Sequence, residues 1–260
     1  MNRRLSPRET LVGASLKLGV IASGMLGITQ HSVDLTGGFV DSIFVAYTTQ
    51  TNIWAAATCL VFLSIDLSTR GTRRLPQWLY VIKYVATTSI LLTWFGFAVL
   101  LSPTVPIEYL VSPSNIFLHN LTPILALLDF VLFDRQYDPY GKPALFTLIM
   151  PIAYVLFFIA AYELTGRLPA PYFFLDYQKC GWLRIGADGI GVVYWVLMLS
   201  VVLIGMGAGI LDLRGQCREK PVVFSVIVIA AMLGLSVVCA LISLLLPASQ
   251  IVRSNGPLPH

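Results

Sequence analysis

The stretch IFLHNLTPILALLDFVLF, residues 116–133, decides how this chain is threaded. A helix that crosses a hydrocarbon core takes about 20 predominantly apolar residues, with a range of about 17–25. This stretch is long enough, yet it carries His119, Asn120 and Asp129. Six other apolar stretches, near 11–29, 43–65, 79–101, 144–164, 190–211 and 222–246, meet the same requirement. Whether 116–133 spans sets the side on which every later connection lies.

Charge in the connections answers that question, because Lys and Arg are retained on the cytoplasmic side while Asp and Glu contribute little to orientation. With 116–133 counted as a span, positives collect at the N-terminus (Arg3, Arg4, Arg8) and in the second, fourth and sixth connections (Arg70, Arg73, Arg74; Arg135, Lys142; Arg214, Arg218, Lys220). The first and third connections hold none, the fifth holds Arg167, Lys179 and Arg184, and the C-terminal tail holds Arg253. Without that span the alternation is scrambled. The chain therefore reads as an all-α polytopic membrane protein, a single domain over 1–260 with seven transmembrane helices, N-terminus inside and C-terminus outside. Its default location is a plasma or bacterial inner membrane, or an endomembrane if the source is eukaryotic.

Composition agrees. Of 260 residues, 57% are hydrophobic and 12% charged, against roughly 45–50% and about 25% in soluble domains. The formal charge of +4 is dispersed in short clusters, so no nucleic-acid footprint is formed. Cys59, Cys180, Cys217 and Cys239 show no C-x-x-C spacing, and His31, His119 and His260 have no metal-ligand spacing. No phosphate loop or nucleophile elbow occurs, and no metal or cofactor is implied. A cleaved signal is disfavoured by Lys17, which near the cytoplasmic end of a lasting helix would snorkel to the interface. Ser15, Gly19, Ser23 and Gly27 form a four-residue stripe of small side chains suited to close packing on another helix, chiefly within the chain, and Gly205, Gly207 and Gly209 read the same way.

Ionisable and polar groups at membrane depth are costly and mark candidate sites. Here they are the run Thr48–Asn52 in the second span, His119, Asn120 and Thr122 in the fourth, Asp129 deeper in the fourth, and Lys83 in the third. Counting from the predicted span starts, Thr48 and His119 both lie roughly 5–8 Å below the outer boundary. Asp129 lies ten residues, about 15 Å, further in, so it cannot orient His119; Lys83 at the matching depth of the third span is its expected structural ion-pair partner. Asp176 and Glu163 are the outer carboxylates placed to orient the histidine, or equally solvated charges of a loop and a helix end. A hydroxyl and an imidazole at one level can perform nucleophilic attack on an ester, with Gln50 or Asn52 as substrate or oxyanion support. The same residues can also be structural, the threonine bonding back to its own helix and the histidine bridging two helices.

FVAYTTQTN (44–52) resembles the second-helix signature of the androgen-induced protein family of integral-membrane hydrolases and its bacterial relatives. LHNLTPILALLDFVLFD (118–134) is similar to that family's His-x-x-x-Pro segment, and MPIAYVLFFIAAYELTGRLPAPYFFLDY (150–177) to its Pro-x-x-Tyr helix and Pro-Tyr-x-Phe-Leu-Asp loop. The blocks keep their order and cover about half the chain. The resemblance implies hydrolysis of lipid-like esters, such as fatty acid esters of hydroxy fatty acids, by a threonine nucleophile with a histidine partner. Those roles fall on Thr48 and His119, with Thr49 as the competing placement and Gln50-Thr51-Asn52 favouring Thr48. Relatives are drawn with six or fewer spans, so the seventh helix is a departure. The expected partners are a lipid-like ester and membrane lipids, with the oligomeric state open and the site opening between the second and fourth helices, where Tyr47 could line the entrance. The alternative is a transporter or binding protein for a small solute or lipid, with the polar run lining its pathway; no internal repeat supports it.

Cysteine-accessibility mapping tests the threading. A cysteine placed in the connection after Phe133 should be labelled from the cytoplasmic side, and labelling from outside would overturn the seven-span reading.

Overall fold

A computed structural model describes residues 6–33, 41–69, 75–134, 136–139, 141–166, 172–186, 189–217 and 219–245. Arg3, Arg4, Arg70, Arg73, Arg74, Arg135, Arg167, Arg218, Arg253, His260 and Leu246 lie outside the described residues. Among the described residues seven helices are long and apolar enough to cross a membrane: Arg8–His31, Tyr47–Thr69, Gln77–Thr104, Pro113–Phe133, Pro143–Thr165, Val192–Cys217 and Pro221–Ile242.

Local chemistry sets several of the ends. Ser6 accepts from the Glu9 N–H at 3.2 Å while the Glu9 carboxylate accepts from the Ser6 N–H at 2.8 Å, a capping box that starts the first helix. The fifth span ends where Gly166 adopts φ +62°, a left-handed cap. The second helix begins at Tyr47, later than the predicted start at residue 43, because Asp41–Val45 forms a separate tight turn. Thr48 thus stands at a helix N-terminus, whereas His119 is six residues, about 9 Å, into the span that starts at Pro113. The expected helix starts are therefore corrected, while the shared level of the two residues holds, because the helices are offset along their axes.

The first four spans form the core bundle, the first packing on the second and fourth and the third on the same two. The small-residue stripe, extended by Gly13, which is not part of it, brings the first span close to the fourth. Gly13, Gly19 and Gly27 face Phe133, Leu125 and Leu118 of the fourth span, and the Thr122 hydroxyl donates to Ser23 Oγ at 2.8 Å. Of the glycines in the sixth span, Gly207 meets Tyr84 and Thr147, but Gly205 and Gly209 have open space beside them. These last two correct the expectation that the whole set packs within the chain. The fifth and sixth spans flank the bundle and the seventh lies outermost, with most of its side chains exposed.

A buried ionic cluster ties the core together at one end. Asp129, fully buried, lies 2.6 Å from Lys83 Nζ and 2.9 Å from Lys17 Nζ; Lys83 also meets Asp134 at 2.6 Å, and Lys17 meets Asp66 at 3.3 Å. Lys17 is 2% exposed, which corrects the snorkelling expectation. In a low-dielectric interior a carboxylate within reach satisfies an ammonium better than a long stretch toward the interface. Cys59 Sγ donates to Asp129 Oδ2 at 3.8 Å, and Lys83 Nζ sits 4.5 Å from the Phe62 ring centroid.

Because Lys17 stays on Asp129 when Lys83 is removed, Asp134 is the carboxylate left stranded. Lys83→Met should lower stability in detergent by about 3–5 kcal/mol, the usual cost of an uncompensated buried charge, and Asp134→Leu added to it should recover most of that loss. Thermal unfolding of the purified variants checks this; a Lys83→Met protein as stable as wild type would refute it.

Candidate functional site

Two matching heptapeptides shape the site before any catalytic residue is considered. Phe97–Pro103 (FAVLLSP) and Phe117–Pro123 (FLHNLTP) share Phe, Leu, Ser/Thr and Pro at the same offsets. Each holds a widened π-turn, over Phe97–Leu101 and Phe117–Leu121. Proline is the cause: Pro123 has no N–H for the backbone carbonyl of His119, and its ring would press on that carbonyl in a regular helix. The helix widens instead, and the Thr122 N–H reaches back to the Phe117 carbonyl, five residues away. The Ser102 N–H reaches the Phe97 carbonyl in the same way. Such single widened turns recur at functional sites.

Each widened turn leaves a carbonyl without a helical donor, and a side chain fills the place. Ser102 Oγ donates to the Ala98 carbonyl at 2.6 Å. At the fourth span the freed carbonyl is that of Leu118, and Asn52 reaches across from the second helix: its Nδ2 donates to Leu118 O at 3.3 Å and to Thr48 O at 2.9 Å. Asn52 is fully buried. One amide group thus holds the residue beside His119 and the backbone of Thr48 together.

The structure brings Thr48 and His119 into contact, with Thr48 Oγ1 3.3 Å from His119 Nε2. His119 is buried, and its ring stacks on Phe97 with centroids 4.0 Å apart and planes at 27°. The two widened turns therefore face each other through these rings. In the tautomer protonated at Nδ1, Nε2 accepts from the threonine hydroxyl. Nδ1 makes no hydrogen bond of ordinary geometry, and His31 and the Asn115 backbone are the groups near enough to act on the ring.

The supporting residues differ from the sequence expectation. Asp176 caps a short turn by accepting from the Lys179 N–H at 3.0 Å, and Glu163 accepts from the Tyr177 hydroxyl at 2.6 Å, so neither orients His119. Gln50 donates to the Phe44 carbonyl at 3.2 Å and closes the entry to the second helix, away from the pair. Asn52 spends its donors on two carbonyls, which makes it a positioning residue rather than an oxyanion donor. Thr49 is buried with no hydrogen bond to its hydroxyl, and Thr51 bonds Thr93 at 2.8 Å.

Sequence reasoning missed Tyr172. It lies in the connection after the fifth span, and its hydroxyl accepts from the Thr48 N–H at 3.3 Å and lies 3.4 Å from Thr48 Oγ1. It falls in the family-like Pro-Tyr-x-Phe-Leu-Asp loop, but nothing in the spacing of Tyr172 from Thr48 signals contact. Phe97 was missed too, although the repeated Phe-x-x-x-Leu-Ser/Thr-Pro pattern could have drawn attention to it.

Thr48 and Tyr172 stand on the wall of a cavity of about 260 Å³. Its other walls are mostly apolar side chains of the third, fifth and sixth spans, including Leu92, Leu100, Ile152, Leu156, Val196 and Leu199. The expected opening between the second and fourth helices is corrected accordingly. Thr48 and Phe97, which both contact His119, line the cavity, whereas His119 itself does not. Tyr47 does line it, its ring edge-on to Tyr154 with centroids 5.0 Å apart.

No family model, curated protein or solved structure matches this chain.

Asn52→Leu removes the bridge from Thr48 O to Leu118 O and should cost about 1–3 kcal/mol through the carbonyl stranded in the core. Gln50→Leu, at a half-buried position, should cost less. Denaturation midpoints of the two variants check this, and equal losses would show that Asn52 does not hold the two helices.

Proposed function

We propose that this protein is a membrane-embedded hydrolase of lipid-like esters in which Thr48 is the nucleophile and His119 the general base. The observation that carries this reading is the 3.3 Å approach of Thr48 Oγ1 to His119 Nε2 at the edge of an apolar cavity. His119 takes the hydroxyl proton as Thr48 attacks the ester carbonyl, returns it to the departing alcohol, and then activates water to release the acid. The largely hydrocarbon lining suits an acyl chain, and the resemblance to the androgen-induced protein family points to the same class. With the N-terminus on the cytoplasmic side, the site faces the outer leaflet of a plasma or bacterial inner membrane, and the substrate arrives laterally.

The pair works without an orienting carboxylate. Stacking on Phe97 holds the ring instead. A transport pathway has less support, because Thr51 and Asn52 are committed to bonds between helices and Gln50 to the Phe44 carbonyl.

Ester hydrolysis by detergent-purified protein tests the reading. Thr48→Ala and His119→Ala should each lower kcat by about 10²-fold or more, in line with loss of a nucleophile or base. Thr49→Ala should retain activity. Full activity in folded Thr48→Ala or His119→Ala protein would overturn it.

A further inference from the structure

A threonine–histidine pair still needs a donor for the negative charge that develops on the ester oxygen, commonly the largest contribution to acyl transfer. The hydroxyls and amides around the cavity are nearly all committed elsewhere. Tyr154 donates to Val45 O at 3.1 Å, Ser200 to Val196 O at 2.7 Å, and Thr93 is bonded to Thr51 at 2.8 Å. Asn52 is spent on carbonyls. The Tyr47 hydroxyl, also on the cavity side, makes no hydrogen bond of ordinary geometry, and the side chain acting on it is Ser89 rather than Thr48.

Tyr172 differs from these. Its oxygen accepts the Thr48 N–H, which leaves its own hydrogen committed to no backbone carbonyl and directed at the neighbourhood of Thr48 Oγ1, 3.4 Å away. The phenol is also held stiffly. Its ring stacks on Phe174 with centroids 5.1 Å apart and planes at 5°, Phe174 packs on Trp195, and Leu175 is buried beneath the loop. We infer that Tyr172 is a third catalytic residue, donating its phenolic O–H to the carbonyl oxygen of an ester while Thr48 attacks the carbonyl carbon. The inference rests on the hydrolase reading above.

The step balances with ester and water alone. Thr48 Oγ forms a bond to the carbonyl carbon as its proton passes to His119 Nε2, and the carbonyl π-electrons move onto oxygen, where Tyr172 donates a hydrogen bond. Collapse of that intermediate breaks the bond to the alkoxy oxygen, which takes the proton from His119 and leaves as the alcohol. Water then gives a proton to His119 and attacks the acyl-threonine; a second oxyanion on the same donor collapses, releasing the acid and returning the proton to Thr48. Tyr172 keeps its proton throughout. Burial pushes its phenol above the ordinary range, against the lowering effect of its bonds to Thr48, so it remains a donor at neutral pH.

The test uses the full chain in detergent, with p-nitrophenyl octanoate as substrate and two inhibitors, decyl trifluoromethyl ketone and decyl methyl ketone. The first forms a tetrahedral oxyanion with a nucleophilic hydroxyl; the second fills the cavity without doing so readily. Tyr172→Phe should lower kcat by about 10²–10³-fold, as for loss of one oxyanion donor, with KM little changed. It should also abolish most of the preference for the trifluoromethyl ketone while leaving affinity for the methyl ketone intact. Replacement of Tyr172 by 3-fluorotyrosine, which keeps shape and donor, should retain activity and guards against a folding effect of the phenylalanine.

Unchanged kcat in Tyr172→Phe, beside an inactive Thr48→Ala, would overturn the role of Tyr172 and leave the pair standing. Equal weakening of both ketones together with lost thermal stability would show that Tyr172 serves as a helix cap, and would overturn it as well. A wild-type protein that neither hydrolyses the ester nor prefers the trifluoromethyl ketone would overturn the hydrolase reading and this inference together.

Discussion

Asp129 is the pivot of the core. A carboxylate buried in a hydrocarbon setting persists as a charge only if cations and donors surround it, and here those groups come from three other spans: Lys17 from the first, Cys59 from the second and Lys83 from the third. Asp66 and Asp134 balance the second contact of each lysine. Four helices are therefore pinned at a common height. His119 is ten residues along the same helix, about 15 Å away, so fixing the axial position of Asp129 also fixes that of the imidazole.

At the other end of the bundle the governing requirement is backbone satisfaction. Lipid offers no hydrogen bonds, so a carbonyl freed inside a span must find a protein donor. Pro103 and Pro123 both create that situation, and the two solutions differ in consequence. Ser102 repairs its own helix, which leaves Phe97 free to act as a platform for the histidine. Leu118 is repaired by Asn52 from a neighbouring helix, and this draws the start of the second helix, with Thr48, against the fourth. The contact of threonine and histidine follows from a proline four residues beyond the histidine.

The remaining spans enclose this arrangement. The fifth and sixth supply the far wall of the cavity, and the connection between them carries Tyr172 back over the N-terminus of the second helix. Tyr172 is the acceptor for one of the orphan N–H groups that every helix start presents, which gives the loop a fixed address in an otherwise apolar wall. The seventh span lies mainly against the sixth and the end of the third, with no residue on the cavity.

Span number and helical class were legible in the sequence because both follow from local quantities: runs of apolar residues long enough to cross a bilayer, and loop charge that alternates. The choice of Thr48, His119, Lys83 and Asp129 as residues of interest came from the same source, since polar groups at membrane depth are costly wherever they fold. Partnership was less legible. From sequence Lys17 reads as an interface residue, because sequence distance says nothing of a carboxylate 112 residues away, and Gln50, Asp176 and Glu163 read as site residues although nearer acceptors and donors take them up. Tyr172 lies 124 residues from Thr48. Chain-local physics determined the helices and the cost of each buried polar group; the tertiary structure alone decided which groups meet, because hydrogen bonds and ion pairs are settled over a few ångströms by helix offset and turn geometry.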